Sequence, residues 1–203
     1  MVGAPELARY ERVHVIGYSI GGHLALHYGV DVDDRRVGAI AAICAPLDLK
    51  KSCAYIDGPR AWFYRRHVLA GLKRMYAACA EKGEVPSPLA EVRRAPTFRV
   101  WDSLTVVPRF GFDSVDHYYE TASVAPRLAG LRRPALFVGE HQDPVTPPST
   151  QREALEGSPK PPVDVRWLRH GGHVGFPRDL DLGEAGPPGL EGQALAWLDS
   201  AGR

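Results

Sequence analysis

Gly17-Tyr18-Ser19-Ile20-Gly21-Gly22 decides how this chain is read. Before it stands Val13-His14-Val15-Ile16, a short β-branched run closed by glycine, which predicts a buried strand. After it, His23-Leu24-Ala25-Leu26-His27-Tyr28 fits a helix better than a second strand. A Gly-x-Ser-x-Gly at a strand-to-helix junction has the form of a nucleophile elbow, where a tight turn lifts the serine hydroxyl above the sheet. Such a turn leaves no room for side chains at the glycine positions. The backbone N–H of Ile20, at the helix start, would then face a developing oxyanion. The pattern alone is weak in a chain with 21 glycines, so its surroundings must carry the reading.

Working outward, Val37-Gly38-Ala39-Ile40-Ala41-Ala42-Ile43-Cys44 is a continuous apolar run stopped by Ala45-Pro46, as expected of a buried parallel strand. Pro134 to Gly139 is another and opens onto Glu140-His141-Gln142-Asp143-Pro144. Val163 to Leu168 is a fourth and ends at His170-Gly171-Gly172-His173. Leu190, Ala194, Leu195 and Leu198 recur at helical spacing and predict a closing helix. Strands alternating with helices imply an α/β fold, a mostly parallel sheet with helices on both faces. Between Ser52 and Pro126 the pattern changes. Arg60 to Ala80 is helix-like, a bend follows at Pro86 and Pro88, and an aromatic stretch runs through Trp101, Phe110, Phe112, Tyr118 and Tyr119. This segment, about 52–126, is expected to be a helical cap inserted into one domain spanning 1–203, its aromatics packed on the cap's own core. A basic, aromatic helix over 60–80 also leaves peripheral lipid contact open.

Composition narrows the function classes. The chain has 203 residues, 44% hydrophobic and 24% charged, and a formal charge of +1, so nothing argues for a nucleic-acid partner. No apolar stretch approaches the ~20 residues of a membrane span, and the first residues lack a signal-like apolar core. Cys44, Cys53 and Cys79 are odd in number and not spaced as metal ligands. They read as reduced thiols of a cytoplasmic protein.

A serine needs a base to become nucleophilic, histidine has a suitable pKa, and a carboxylate must hold the histidine in its working tautomer. Ser19, Asp143 and His173 follow in the order serine, acid, histidine, each just past the end of a predicted strand, where open α/β sheets bind ligands. Asp48, in Ala45-Pro46-Leu47-Asp48, is an alternative acid, and Asp143 could instead be a turn former before Pro144. His170 competes with His173. Only His173 follows the glycine pair, in a loop able to turn a ring inward. The other histidines read as strand, helix or surface residues.

Gly17 to His23, Ala45-Pro46-Leu47-Asp48-Leu49, Phe110-Gly111-Phe112-Asp113, Tyr118-Tyr119, Asp143-Pro144 and Gly171-Gly172-His173-Val174-Gly175-Phe176 together resemble the YheT-like α/β-hydrolases. These are bacterial esterase-like proteins related to the abhydrolase-domain phospholipases. The resemblance runs from about Val13 to Leu198. It implies hydrolysis of carboxylic esters without a cofactor, with Ser19 as nucleophile, Asp143 as acid, His173 as base and the Ile20 amide in the oxyanion hole. The substrate class is a small-molecule ester or lipid, and the cap's aromatics, Trp62, Phe63, Tyr64, Phe110 and Phe112, suit an apolar acyl or alcohol moiety or else form the cap's own core. Members of this fold carry more strands, and a second oxyanion donor, ahead of the elbow. On the resemblance, the chain corresponds to the C-terminal part of such an enzyme. Two further readings stay open: a catalytically silent fragment or partner-completed module, and an acyltransferase using the same residues. Ala4 to Tyr10 is expected to be the end of the helix leading into the first strand.

Overall fold

A computed structural model describes residues 5–157 and 161–202. In chain order the elements are β1 (Val13–Tyr18), α1 (Ile20–Asp31), β2 (Val37–Ile43), α2 (Leu49–Ile56), α3 (Trp62–Ala80), α4 (Leu89–Arg94), α5 (Phe98–Leu104) and α6 (Val106–Phe110). They continue with α7 (Val115–Ala122), β3 (Ala135–Glu140), α8 (Pro148–Leu155), β4 (Val163–Leu168) and α9 (Leu190–Ala201). Pro5–Leu7 forms only a 3-10 turn, so the helix expected over Ala4–Tyr10 is not found within its described part, and Ala4 lies outside the described residues.

The chain divides into two compact units, one of Met1–Leu47 with Val124–Arg203 and the other of Asp48–Ser123. The first holds a four-stranded parallel sheet in the order β1-β2-β3-β4. Strands β2 and β3 sit in its middle, and their near-continuous apolar sequences follow from burial on both faces. Register sets Ile16 beside Ala41, Ala42 beside Phe137 and Phe137 beside Val165. Because side chains alternate, each strand feeds two cores. On one face Leu26 and Ala25 of α1 pack with Ile40, Ala42, Phe137 and Leu155. On the other Trp197, Leu198 and Leu190 of α9 pack with Ile43, Leu136 and Val138. Tyr18 ties β1 to α9 by donating its hydroxyl to Glu191 at 3.0 Å, and burial with that carboxylate pushes its pKa up to about 12.

The second unit is all helix. Leu69, Tyr76, Val92, Ala95 and Trp101 form one small core, and Leu49, Cys53, Val115 and Tyr119 another. Side-chain caps set the helix starts: Asp48 accepts from Lys51 N–H, Thr97 from Val100 N–H and Ser114 from His117 N–H. Asp57 accepts the backbone N–H groups of Phe98 and Arg99, at 2.7 and 3.0 Å. The Tyr119 hydroxyl lies 2.6 Å from Asp102 Oδ2, to which it donates, and 2.9 Å from Cys53 Sγ. Burial, with Asp57 nearby, pushes the Asp102 carboxyl up to about 6. The expectation that the aromatics would fill this unit's core holds for Trp101 and Tyr119. It fails for Trp62, Phe63, Tyr64 and Phe110, which are exposed.

Candidate active site

Ser19 separates β1 from α1 with φ 52° and ψ −125°. A positive φ costs an L-residue roughly 1–2 kcal/mol, so neighbouring contacts must hold it. The Ser19 N–H donates to Ile43 O at 2.8 Å, anchoring the residue to β2. Its own carbonyl accepts from Gly22 and His23 and begins α1. Crowding is extreme on one side of the turn. A Cβ on Gly17 would fall 2.3 Å from the carbonyl carbon of Gly21, and one on Gly22 would meet Gly17 O at 2.8 Å and Ala45 Cβ at 3.0 Å. At Gly21 nothing lies within 4 Å. The tightness expected of Gly-x-Ser-x-Gly is therefore enforced by Gly17 and Gly22, and the second glycine of the pattern is not required sterically.

Asp143 lies in the loop after β3 and is buried. Its Oδ1 accepts from Val145 N–H at 2.8 Å and Thr146 N–H at 3.0 Å, so the Asp-Pro turn itself fixes the carboxylate. His173 follows β4, in a loop closed by Gly172 N–H to Gly175 O at 2.8 Å. The φ of 154° at Gly171 and the Phe176 ring, 2.8 Å from where a Cβ would be, both favour glycine there. His173 Nδ1 stands 2.9 and 3.1 Å from the two oxygens of Asp143, and Nε2 stands 2.7 Å from Ser19 Oγ. With the ring proton on Nδ1 facing the carboxylate, Nε2 is left to accept the Ser19 hydroxyl. The three side chains thus form one unbroken hydrogen-bonded line.

The alternatives lie elsewhere. Asp48 caps α2 and pairs with Lys51, and His170 is exposed. His23 is buried, with Nδ1 2.6 Å from Pro46 O.

Cys44, read in the sequence only as a reduced thiol, is a buried residue with φ 47°. Burial, and then the charge of Asp143, push its thiol far above the ordinary range, so it stays protonated and donates toward that carboxylate. No signal in the sequence marks it, since it reads there as the last residue of the apolar run. Cys44, Asp143 and His173 bring donor atoms within 4.8 Å of one another, a set that could grip a divalent ion. The Asp143 oxygens and His173 Nδ1 are already engaged with each other, which argues for a proton relay over a metal site. The described helices include none long and apolar enough to cross a membrane.

The sequence profile of the alpha/beta hydrolase fold matches residues 6–179. The chain belongs to that family. Within it, this hydrolase is 29% identical over 164 residues to the putative esterase YheT of Escherichia coli, covering 79% of the present chain and 48% of that protein. It is also 29% identical to the putative esterase slr0264 of Synechocystis, covering 90% and 56%, which supports the YheT-like branch. The monoacylglycerol lipase of Saccharomyces cerevisiae is 25% identical over 178 residues, covering 83% and 39%. Among solved structures, a puromycin-hydrolysing peptidase of Mycobacterium tuberculosis superposes with a TM-score of 0.50 at 18% identity, over 84% of this chain and 20% of the other, and attests the fold alone. The chain spans about half the length of these curated esterase relatives.

Proposed function

We propose that the hydrolase cleaves carboxylic esters through an acyl-enzyme, with Ser19 as nucleophile, His173 as general base and then acid, and Asp143 as the group that orients and charges against His173. The observation that carries this is the line from Ser19 Oγ to His173 Nε2 at 2.7 Å and from His173 Nδ1 to Asp143 at 2.9 Å. As Ser19 Oγ bonds to the ester carbonyl carbon, its proton passes to Nε2 and the carbonyl oxygen takes up the negative charge. The imidazolium so formed is stabilised by the buried carboxylate. Collapse expels the alcohol, which takes the proton from Nε2. Water, deprotonated by the same nitrogen, then releases the acid and restores Ser19.

The N–H of Ile20, at the start of α1, is assigned as one oxyanion donor, because first-turn amides of a helix have no intrahelical carbonyl to serve. Relatives named as esterases and a monoacylglycerol lipase support a small-molecule ester or lipid as substrate. A nucleophile elbow, with its strained serine, is the reading under which the φ of 52° at Ser19 has a use.

The test is reaction with a fluorophosphonate probe and turnover of a short-chain aryl ester. Labelling at Ser19 and hydrolysis are expected, both lost in Ser19→Ala. In His173→Ala turnover should fall by about 10⁴-fold or more. Labelling on another residue, or hydrolysis unchanged in Ser19→Ala, would refute the assignment.

A further inference from the structure

Helix α3 is apolar on two sides. Leu69, Leu72 and Tyr76 face the core of the second unit. At 100° per residue Phe63, His67, Arg74 and Ala78 lie opposite that core, and Tyr64, Val68 and Met75 form an apolar row along one flank of the helix. Phe63 is 62% and Met75 66% exposed, and Trp62, Tyr64 and Val68 are exposed with them. A surface helix ordinarily turns its polar side to water, so an exposed apolar row of this length needs a covering surface.

Charge says which surface. From Gly58 to Ala80 there is no Asp or Glu, while Arg60, Arg65, Arg66, Lys73 and Arg74 are all basic. Arg65 spends its guanidinium on the carbonyls of Ile56, Asp57 and Gly58, and Lys73 donates to Ala95 O at 2.6 Å. Arg66 and Arg74 have no carboxylate partner among the described residues. A second copy of the chain, offering the same face, would set these uncompensated cations against each other. An anionic bilayer surface meets both requirements, since it takes apolar side chains into the headgroup boundary and supplies phosphates at its rim.

We propose that the exposed face of α3 docks on anionic phospholipid bilayers, with Phe63, Tyr64, Val68 and Met75 entering the boundary between headgroups and acyl chains. Arg74, between Phe63 and that row, reaches phosphate oxygens, whereas Arg66 lies on the far flank of the helix. Tyr64, at the start of the helix, suits this depth, where one end of the ring is wet. The docking deepens the ester-hydrolase reading by naming where a lipid ester would be met, and in that respect rests on it. The binding itself does not.

The experiment is co-sedimentation of the full chain with vesicles of phosphatidylcholine alone or of phosphatidylcholine mixed with phosphatidylglycerol, at low and high salt. Binding to the mixed vesicles is expected, weakening as salt rises. Arg74→Ala should weaken it about fivefold, and Arg66→Ala, on the far flank, by less. Phe63→Ser with Met75→Ser should weaken binding at least tenfold, on the order expected from losing two apolar side chains. Both residues are exposed, so an unchanged melting temperature checks that these variants fold. Ser19→Ala should bind vesicles as the parent does, and the arginine variants should hydrolyse a soluble ester as the parent does. Failure of docking and failure of the catalytic reading are thereby separated. No sedimentation of the folded parent with mixed vesicles overturns the proposal. So does equal binding to neutral vesicles, or concentration-dependent self-association that Phe63→Ser with Met75→Ser abolishes.

Discussion

The two outer strands of the sheet, β1 and β4, have the same length and the same kind of edge, yet opposite sequences. β4, Val163-Asp164-Val165-Arg166-Trp167-Leu168, alternates apolar and charged residues. Asp164 pairs with Arg166 and accepts the Trp197 indole N–H at 3.0 Å, Arg166 also reaches Glu184 at 3.7 Å, and Pro161 and Pro162 stand just before it. Charges and prolines of this kind keep a free edge from recruiting another strand. β1, Val13-His14-Val15-Ile16-Gly17-Tyr18, has no ionised side chain: burial, and then the charge of Arg12, lower the pKa of His14. Ile16 lies 38% exposed beside this edge. β4 is written as an edge, and β1 is written as an interior strand. Each ends at a residue of the candidate site, Ser19 after β1 and His173 after β4.

The comparison breaks most violently at the two terminal turns. Gly17→Ala forces a Cβ to within 2.3 Å of backbone, and a loss of about 4 kcal/mol or outright misfolding is expected in urea denaturation. Gly171→Ala meets only the edge of the Phe176 ring, which can turn aside, so about 1–2 kcal/mol is expected from the backbone strain. Comparable losses at both sites would mean that the turn after β1 is no more constrained than the loop after β4.

A middle-sized effect is expected at the charged edge itself. Asp164→Val removes an ion pair and the Trp197 hydrogen bond and gives β4 an apolar face, at a cost of about 2 kcal/mol. Static light scattering should show it aggregating more than the parent. The smallest effect is expected at Ile16→Lys, within about 0.5 kcal/mol in the melt. It should reduce whatever association the β1 edge supports, and a loss above about 2 kcal/mol would place Ile16 in a packed core and undo the contrast.

The same contrast explains what could be read in advance. All four strands were legible because apolar β-branched runs end in glycine, proline or charged loops. β1 proves two residues longer than its sequence signal, since Gly17 looks like a stop when it is in fact the last demand of the turn. Helix α1 starts at Ile20, where the elbow reading put it, although the helix-like run of residue types begins only at His23. The four helices from Leu89 to Ala122 are eight residues long or shorter, too short to show a period. Phe63 and Tyr64 were misplaced for a different reason: residue type announces an apolar surface without saying what covers it. At the candidate site, Ser19, Asp143 and His173 could be placed together because each follows a strand end on one side of a parallel sheet. Cys44 could not, because its contact with Asp143 depends on a backbone conformation that no spacing reveals.

The Asp102 carboxyl, raised to about 6 beside Tyr119 and Cys53, makes folding of the second unit an act of proton uptake. An unfolded aspartate titrates near 3.8. Between these two values the folded unit therefore holds a proton that the unfolded chain has released. Stability contributed by this group is complete below the lower value and is lost as pH rises through the higher, amounting to about 3 kcal/mol. Asp102→Asn keeps an acceptor for the Tyr119 hydroxyl and carries no charge to bury, so its stability should stay level where the parent's falls. If parent and variant declined together from pH 4 to 7, the proton would not sit on Asp102. Otherwise the six-helix unit is a weak acid whose strength depends on being folded, loosest in neutral surroundings and firmest in mildly acidic ones.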